Sequence, residues 1–308
     1  MAGKLNPTPE QAAIIDAARA GKHVVIQAGA GTGKTSTLRM VADALGARPA
    51  IYVAYNRAIA AEAAADFPRH VKCRTAHSLA MAAVGGTYRH RLGGPRQPAR
   101  RAAELLGTVW LDLRRDLQIS PVQLARIAIE TVRAFCYSAD DDIAARHVPA
   151  QNGIGGADHT NLAAAVLPYA RRAWSDLCDP GGLLRFEHDH YLKMWALTRP
   201  CLHAQVVLLD EAQDSNPLVA RLVCDQHQAQ QIAVGDSCQS LYGWRGAVDA
   251  LKSWPADERL YLSQSWRFGP PIADEANKWL AQMDTETPGC WIGNVAPQSF
   301  CRGVLTYP

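Results

Sequence analysis

No apolar run in this 308-residue chain approaches the roughly 20 residues that a membrane-crossing helix needs. The opening stretch MAGKLNPTPEQ has no apolar signal core, so the sequence reads as cytoplasmic, with no membrane partner. Paired cysteines are missing too. Cys73, Cys136, Cys178, Cys201, Cys224, Cys238, Cys290 and Cys301 are scattered and form no CxxC. That excludes a cysteine zinc site and a small disulfide scaffold, and in a cytosolic chain it predicts reduced thiols. Charge of one sign is also scarce. The net charge of +3 neither argues for nor excludes a nucleic-acid partner, because charge can be local. What remains is an ordinary globular composition, 48% hydrophobic and 20% charged. It fits one large domain or two to three smaller ones.

Short apolar runs alternate with helical spacing at both ends of the chain. HVVIQ (His23–Gln27), AIYVA (Ala50–Ala54) and VKCR (Val71–Arg74) read as strands, with KTSTLRMVADAL and AIAAEAAADF as helices between them. QVVLL, QIAV and RLYL continue the series after residue 205. Strands that alternate with helices imply right-handed crossovers and a parallel sheet. From about Gly85 to Pro200 the strand pattern disappears. Segments such as ARRAAELLGTVWLDLRR and PVQLARIAIETVRAF carry helical spacing instead, so a mostly helical insert is expected there. After Gln282 no element is expected.

The stretch QAGAGTGKTS (Gln27–Ser36) leaves a strand and opens a helix. Its glycines Gly29, Gly31 and Gly33 let the backbone wrap closely around phosphates, and the helix N-terminus adds N–H donors. Residues Ala28, Gly29, Ala30, Gly31, Thr32, Gly33, Lys34, Thr35 and Ser36 form the candidate cradle for ATP. Lys34 would reach the β- and γ-phosphates, and Thr35 would ligate Mg²⁺. The usual pattern has glycine where this chain has Ala28. A buried strand ending in Asp210 and Glu211 supplies acidic partners. Asp210 would bind Mg²⁺, and Glu211 would orient or deprotonate the attacking water. Two like charges so close together cost free energy unless something positive sits beside them.

In this order, AGAGTGKT, LLDEAQDSNP and VGDSCQSLYGWRGA resemble the ATPase motifs of superfamily 1 DNA helicases of the UvrD/Rep type. VAYNRAIAAEA and RTAHSLA are closer to the branch that contains the F-box DNA helicases, and LSQSWRFGPPIADEAN is similar to that family's motif IV. The likeness covers about residues 5–84 and 205–280, while the insert matches in position and character only. It implies an α/β fold: a P-loop NTPase with a RecA-like parallel sheet, an inserted helical subdomain and the start of a second RecA-like domain. The expected parts are residues 1–84 and 205–262 for the first motor domain, 85–204 for the insert and 263–308 for the beginning of the second. A missing or separate C-terminal motor domain is expected as a partner.

The resemblance also implies roles. Gln11 would read the adenine edge. Locally, however, Thr8, Pro9, Glu10 and Gln11 have the form of a capping box, and both readings stay open. Trp266 would stack on adenine, Gln239 would sense the γ-phosphate and Arg267 would be an arginine finger. Ser36 stands where close relatives often have an arginine against the base. Gln213 and Asp214 would link the carboxylates to motif III. Trp244, with Tyr242 and Arg245, would stack on single-stranded DNA. Tyr55, Asn56, Thr75 and His77 would hold that strand.

Arg89, Arg91, Arg96, Arg100 and Arg101 would clamp duplex phosphate or form a solvated loop. EHDH (Glu187–His190) has no partner cluster at metal-ligand spacing and reads as surface polarity. The function expected is an ATP- and Mg²⁺-dependent 3′–5′ helicase or translocase, acting on single strands and single/double-strand junctions in repair or recombination. The alternatives are an ATP- and single-strand-binding module without unwinding activity and an unrelated P-loop kinase. A kinase has no need of the VGDSCQSLYGWRGA block.

Overall fold

The computed structural model describes residues 6–239 and 250–282, and the backbone of 292–293. The chain opens with α1 (Pro9–Arg19), then β1 (Val24–Ala28), α2 (Lys34–Ala44), β2 (Ala50–Ala54), α3 (Arg57–Asp66) and β3 (Val71–Thr75). It leaves this region through α4 (Ala76–Ala80), α5 (Gly86–Tyr88), α6 (Ala99–Leu106), the strands β4 (Leu111–Arg114) and β5 (Leu117–Ile119), α7 (Pro121–Tyr137), α8 (Gly156–Cys178) and α9 (His188–Leu197). It returns with β6 (Val206–Leu209), α10 (Pro217–Cys224), β7 (Gln230–Gly235), α11 (Ala250–Ser253), β8 (Glu258–Leu262), β9 (Gln264–Ser265), α12 (Pro270–Leu280) and β10 (Ile292–Gly293). Among the described residues no helix is long and apolar enough to cross a membrane.

The chain divides into two compact units. The first comprises Met1–Thr75, Cys201–Ser215 and Val223–Pro308, and the second Ala76–Pro200 with Asn216–Leu222. The second unit thus opens before the loss of strand pattern at Gly85. The RTAHSLA stretch crosses that boundary, with Thr75 ending a strand and His77 lying in a helix.

The first unit holds a six-stranded sheet in the order β3-β2-β6-β7-β1-β8, parallel throughout. Its central strands β6 and β7 are buried at every position, as strands covered on both faces must be. The edge strand β3 alternates instead, burying Val71, Cys73 and Thr75 and exposing Lys72 and Arg74. Register pairs Tyr52 with Leu208 and Leu208 with Ile232. It follows that β1, β2, β6 and β7 all end at one edge of the sheet. In parallel α/β sheets that carboxyl edge is where ligands bind. Helix α1 begins with the capping box foreseen from sequence: Gln11 N–H donates to Thr8 Oγ1 and Thr8 N–H to Gln11 Oε1.

The second unit is not wholly helical. The stretch read as one helix, ARRAAELLGTVWLDLRR, breaks at Gly107, whose φ of 62° ends α6, and β4 then pairs antiparallel with β5. The apolar residues Leu111, Leu113 and Leu117 suit either period, and the left-handed glycine decides between them. EHDH is likewise not surface polarity. His190 is buried, and desolvation pushes its pKa down to about 4. Asp189 Oδ1 lies 2.9 Å from His77 Nε2, and its Oδ2 accepts from Tyr137 at 3.2 Å. Burial would raise the Asp189 carboxyl, but His77 and Tyr137 outweigh it and leave it below its ordinary value.

Arg91 is no phosphate clamp. Its side chain is only 6% exposed and donates to the carbonyls of Asp176, Leu177, Asp179 and Leu184. It caps the C-terminus of α8, where a cation meets unsatisfied carbonyls and the negative end of the helix dipole. Its guanidinium also lies 4.9 Å from the Phe186 ring centroid. Arg91→Met is expected to lower stability by about 3 kcal/mol, the order expected when a charged group loses several buried hydrogen bonds. Arg96→Met, at an exposed position, is expected to stay within about 0.5 kcal/mol of the parent. Urea unfolding of the two variants checks this. Equal midpoints would refute the capping role.

Candidate functional site

The loop after β1 delivers the chain to a helix start that no side chain caps. Gly31 and Gly33 have φ of 71° and 83°, a region that costs other residues free energy. Gly33 is the N-cap of α2 and offers no side chain to its first turn, so the leading N–H groups of the helix are left for an anion. Thr32 Oγ1 donates to Gly29 O at 2.8 Å, closing the loop on itself.

The chain after β8 packs directly on this loop. Ser265 Oγ donates to Ala30 O at 2.9 Å, and Trp266 N–H to Gly31 O at 2.9 Å. A Cβ placed on Gly31 would lie 2.5 Å from Arg267 Cβ, so the close approach requires glycine there. Trp266, 52% exposed, and the exposed Arg267 therefore stand beside the loop. On the other flank Gln11 is buried, and its Nε2 donates to Thr37 Oγ1 at 3.0 Å. Its capping role is filled, and its Nε2 lies beside Gly33.

The carboxylates leave β6 toward the same loop. Asp210, 3% exposed, accepts from Thr35 Oγ1 at 3.1 Å and from Tyr52 Oη at 2.5 Å on one oxygen, and from the Glu211 amide at 2.9 Å on the other. Burial raises its pKa above the usual carboxylate range and the Glu211 charge adds to this. The Tyr52, Glu211 amide and Thr35 bonds pull it back. Burial and the Asp210 charge likewise push the Tyr52 hydroxyl up. Glu211 lies 3.7 Å from Lys34 Nζ and accepts from Gln213 Nε2 at 2.8 Å. Gln239 Nε2 donates to Asp236 at 2.5 Å. Desolvation raises the Asp236 carboxyl, and Cys238 N–H, Lys34 and Gln239 counter it.

A cleft of about 250 Å³ opens beside Thr35, Asp210 and Glu211 and runs on to Arg39 and Glu62. Thr35 and Asp210 are hard oxygen donors, the kind Mg²⁺ takes when it keeps several waters and borrows phosphate oxygens. Among the described residues no group of three or more His, Cys, Asp or Glu could hold a metal ion unaided. Two oxygen donors suit an ion that takes its remaining ligands from water and phosphate.

Lys34, Thr35, Asp210, Glu211, Gln11, Trp266 and Arg267 thus gather around one loop, with Gln239 at the end of the neighbouring β7. The residues read as strand-holding are placed differently. Asn56 caps α3, its Oδ1 accepting from Ile59 N–H at 2.9 Å. Thr75 is buried at the end of β3, Tyr55 is half-buried, and His77 is paired with Asp189 in the second unit. Tyr242, Trp244 and Arg245 lie outside the described residues. Sequence reasoning missed Tyr52 and Asp236. One signal was available for Tyr52: a lone hydroxyl in a fully buried strand needs a partner.

Tyr52→Phe removes a donor from a buried carboxylate. It is expected to cost about 1–3 kcal/mol and to weaken ATP affinity measured with divalent cation present more than affinity measured in chelator. A Tm within about 1 °C of the parent, where roughly 2–4 °C per kcal/mol is expected, would contradict that account.

Known proteins resemble this chain over part or most of its length. The AAA domain family matches residues 11–245. F-box DNA helicase 1 of Gallus gallus is 33% identical over 262 residues, covering 82% of this chain and 25% of that protein. F-box DNA helicase protein 1 of Schizosaccharomyces pombe is 28% identical over 303 residues, covering 89% and 33%. The ATP-dependent DNA helicase PcrA of Staphylococcus aureus is 31% identical over 99 residues, covering 29% and 13%. The chain thus spans between a quarter and a third of the two F-box relatives. With its phosphate loop, acidic strand end and parallel sheet, the chain belongs to the AAA domain family, among the superfamily 1 helicases of the UvrD/PcrA and F-box type.

Proposed function

We propose that this chain binds and hydrolyses ATP to drive 3′–5′ movement along single-stranded DNA, opening duplex at single/double-strand junctions during repair or recombination. The observation that carries the hydrolytic part is the convergence of Lys34, Thr35, Asp210 and Glu211 on a helix start whose amides are left uncapped. The DNA part is supported by relatives named as DNA helicases.

In this reading the uncapped amides at the start of α2 hold the phosphates, and Lys34 neutralises the β- and γ-oxygens. Thr35 and Asp210 would hold Mg²⁺, which supplies charge neutralisation at the phosphates. Glu211 accepts the proton of the attacking water. Arg267 stabilises charge on the transferred phosphoryl group, and Gln239 senses the γ-phosphate. Trp266 stacks on the base while Gln11 reads its edge. Trp244, with Tyr242, Arg245 and Tyr55, grips the single strand. A second motor domain closes over the site as a partner.

Turnover of ATP by the chain is expected to rise with single-stranded DNA. The stimulation should fall steeply between about 50 and 200 mM salt, as phosphate contacts are screened. Lys34→Ala should abolish turnover. Glu211→Gln should keep ATP affinity within a few-fold and lower kcat by about 100-fold or more. A steady-state phosphate-release assay with and without oligonucleotide measures all three. ATP binding without stimulation would leave the chain a binding module. Loss of ATP binding in Glu211→Gln would refute the base assignment.

A further inference from the structure

Glu10 lies in the first turn of α1 and reaches a residue far along the chain. Its Oε2 accepts from Ser263 N–H at 2.9 Å, and its Oε1 accepts from Ser263 Oγ at 2.6 Å. Ser263 directly follows β8, so both oxygens of one carboxylate hold the start of the segment that lies on the phosphate loop. Gly29 N–H donates to Leu262 O at 3.3 Å on one side of Ser263, and the bonds of Ser265 to Ala30 and of Trp266 to Gly31 follow on the other. Glu10 adds to these the tie to α1.

The next residue, Gln11, makes the matching tie to α2. Its Nε2 donates to Thr37 Oγ1, while its Oε1 accepts from Thr8 N–H in the capping box. That box, with Pro9 behind it, fixes the geometry of the turn. Two consecutive side chains of one turn thus hold the two segments that flank the phosphate loop. Glu10 holds the one that carries Trp266, and Gln11 holds the start of α2.

We infer that Glu10 is a positioning residue for the nucleoside: by anchoring Ser263 it sets where Trp266 stands relative to Gln11, and so how tightly a purine nucleotide is held beyond its phosphates. This rests on the reading of Trp266 and Gln11 as the base contacts. A carboxylate in the first turn also gains from the helix dipole, and the two roles separate chemically. Glu10→Gln loses the charge but keeps both bonds, because its carbonyl accepts from the Ser263 N–H and its amide donates to the hydroxyl oxygen. Glu10→Ala keeps neither bond.

The test titrates the full chain, with Mg²⁺, against a non-hydrolysable ATP analogue and against tripolyphosphate, which has the phosphates without the nucleoside. Calorimetry gives both affinities, and a thermal melt reports folding. Glu10→Ala is expected to weaken the analogue about tenfold while tripolyphosphate stays within about twofold, since the loss falls on the nucleoside alone. Glu10→Gln is expected to restore the analogue to within about threefold of the parent. Ser263→Ala, which removes one of the two bonds, is expected to weaken it about threefold, and the Glu10→Ala/Ser263→Ala double to be no weaker than Glu10→Ala within about twofold. Equal losses for the analogue and tripolyphosphate would overturn the inference. So would a Glu10→Gln as weak as Glu10→Ala, which would assign the effect to charge. Should Glu10→Ala not fold, Ser263→Ala decides, and an unchanged affinity there overturns the inference. Trp266→Ala separates the two layers. If it leaves analogue affinity unchanged, the base-stacking reading itself falls. If it weakens the analogue while Glu10→Ala does not, only the inference about Glu10 falls.

Discussion

Two neighbouring carboxylates emerge from a strand that is buried along its whole length, and one of them, Asp210, stays buried. Desolvation and the Glu211 charge both oppose ionisation of Asp210. Much of the first unit can be understood as an answer to that cost. Tyr52 arrives from β2, Thr35 from the first turn of α2 and Lys34 from the same turn. Each can reach the pair because β2, β6 and β1 run parallel and end at one edge. The bonds soften the penalty and leave it partly standing.

The same edge explains why distant segments converge. The phosphate loop leaves β1, the carboxylates leave β6, and Asp236 with Gln239 leaves β7, the strand between them. The segment after β8 lies on the loop through Ser265 and Trp266, and Glu10 of α1 ties down Ser263 through its amide and hydroxyl. These loops are joined to one another by side-chain and backbone hydrogen bonds as well as by the strands they leave.

Legibility followed the range of the interactions. The strand–loop–helix of Gln27–Ser36 and the acidic end of β6 were readable because their signals are local: glycine spacing, an apolar run and a charge at its end. The capping box at Thr8 and Gln11 was readable for the same reason. The hairpin of β4 and β5 was not, because its leucines fit both periods and a single glycine conformation decides. Arg91 and Asp189 looked like surface charges because their partners are distant in sequence. Arg91 meets the end of α8 and Asp189 meets His77, and no spacing rule reports either contact. In sequence Asn56 reads only as a strand-holding residue, and its cap on α3 appears in the backbone geometry. Tyr52 was hidden in an apolar run whose only polar atom required a partner.

Under the proposed function, Asp210 is kept as a buried charge, at a cost to the fold, for the cation that comes with nucleotide. Thermal unfolding of the parent and of Asp210→Asn, each with ATP in chelator and with ATP plus Mg²⁺, tests it most directly. The account predicts that the variant without ligand melts at or above the parent, because a buried charge has gone. It also predicts that only the parent gains stability from Mg²⁺ with ATP beyond what ATP alone provides. A variant that melts well below the parent and keeps the full gain from Mg²⁺ would contradict it.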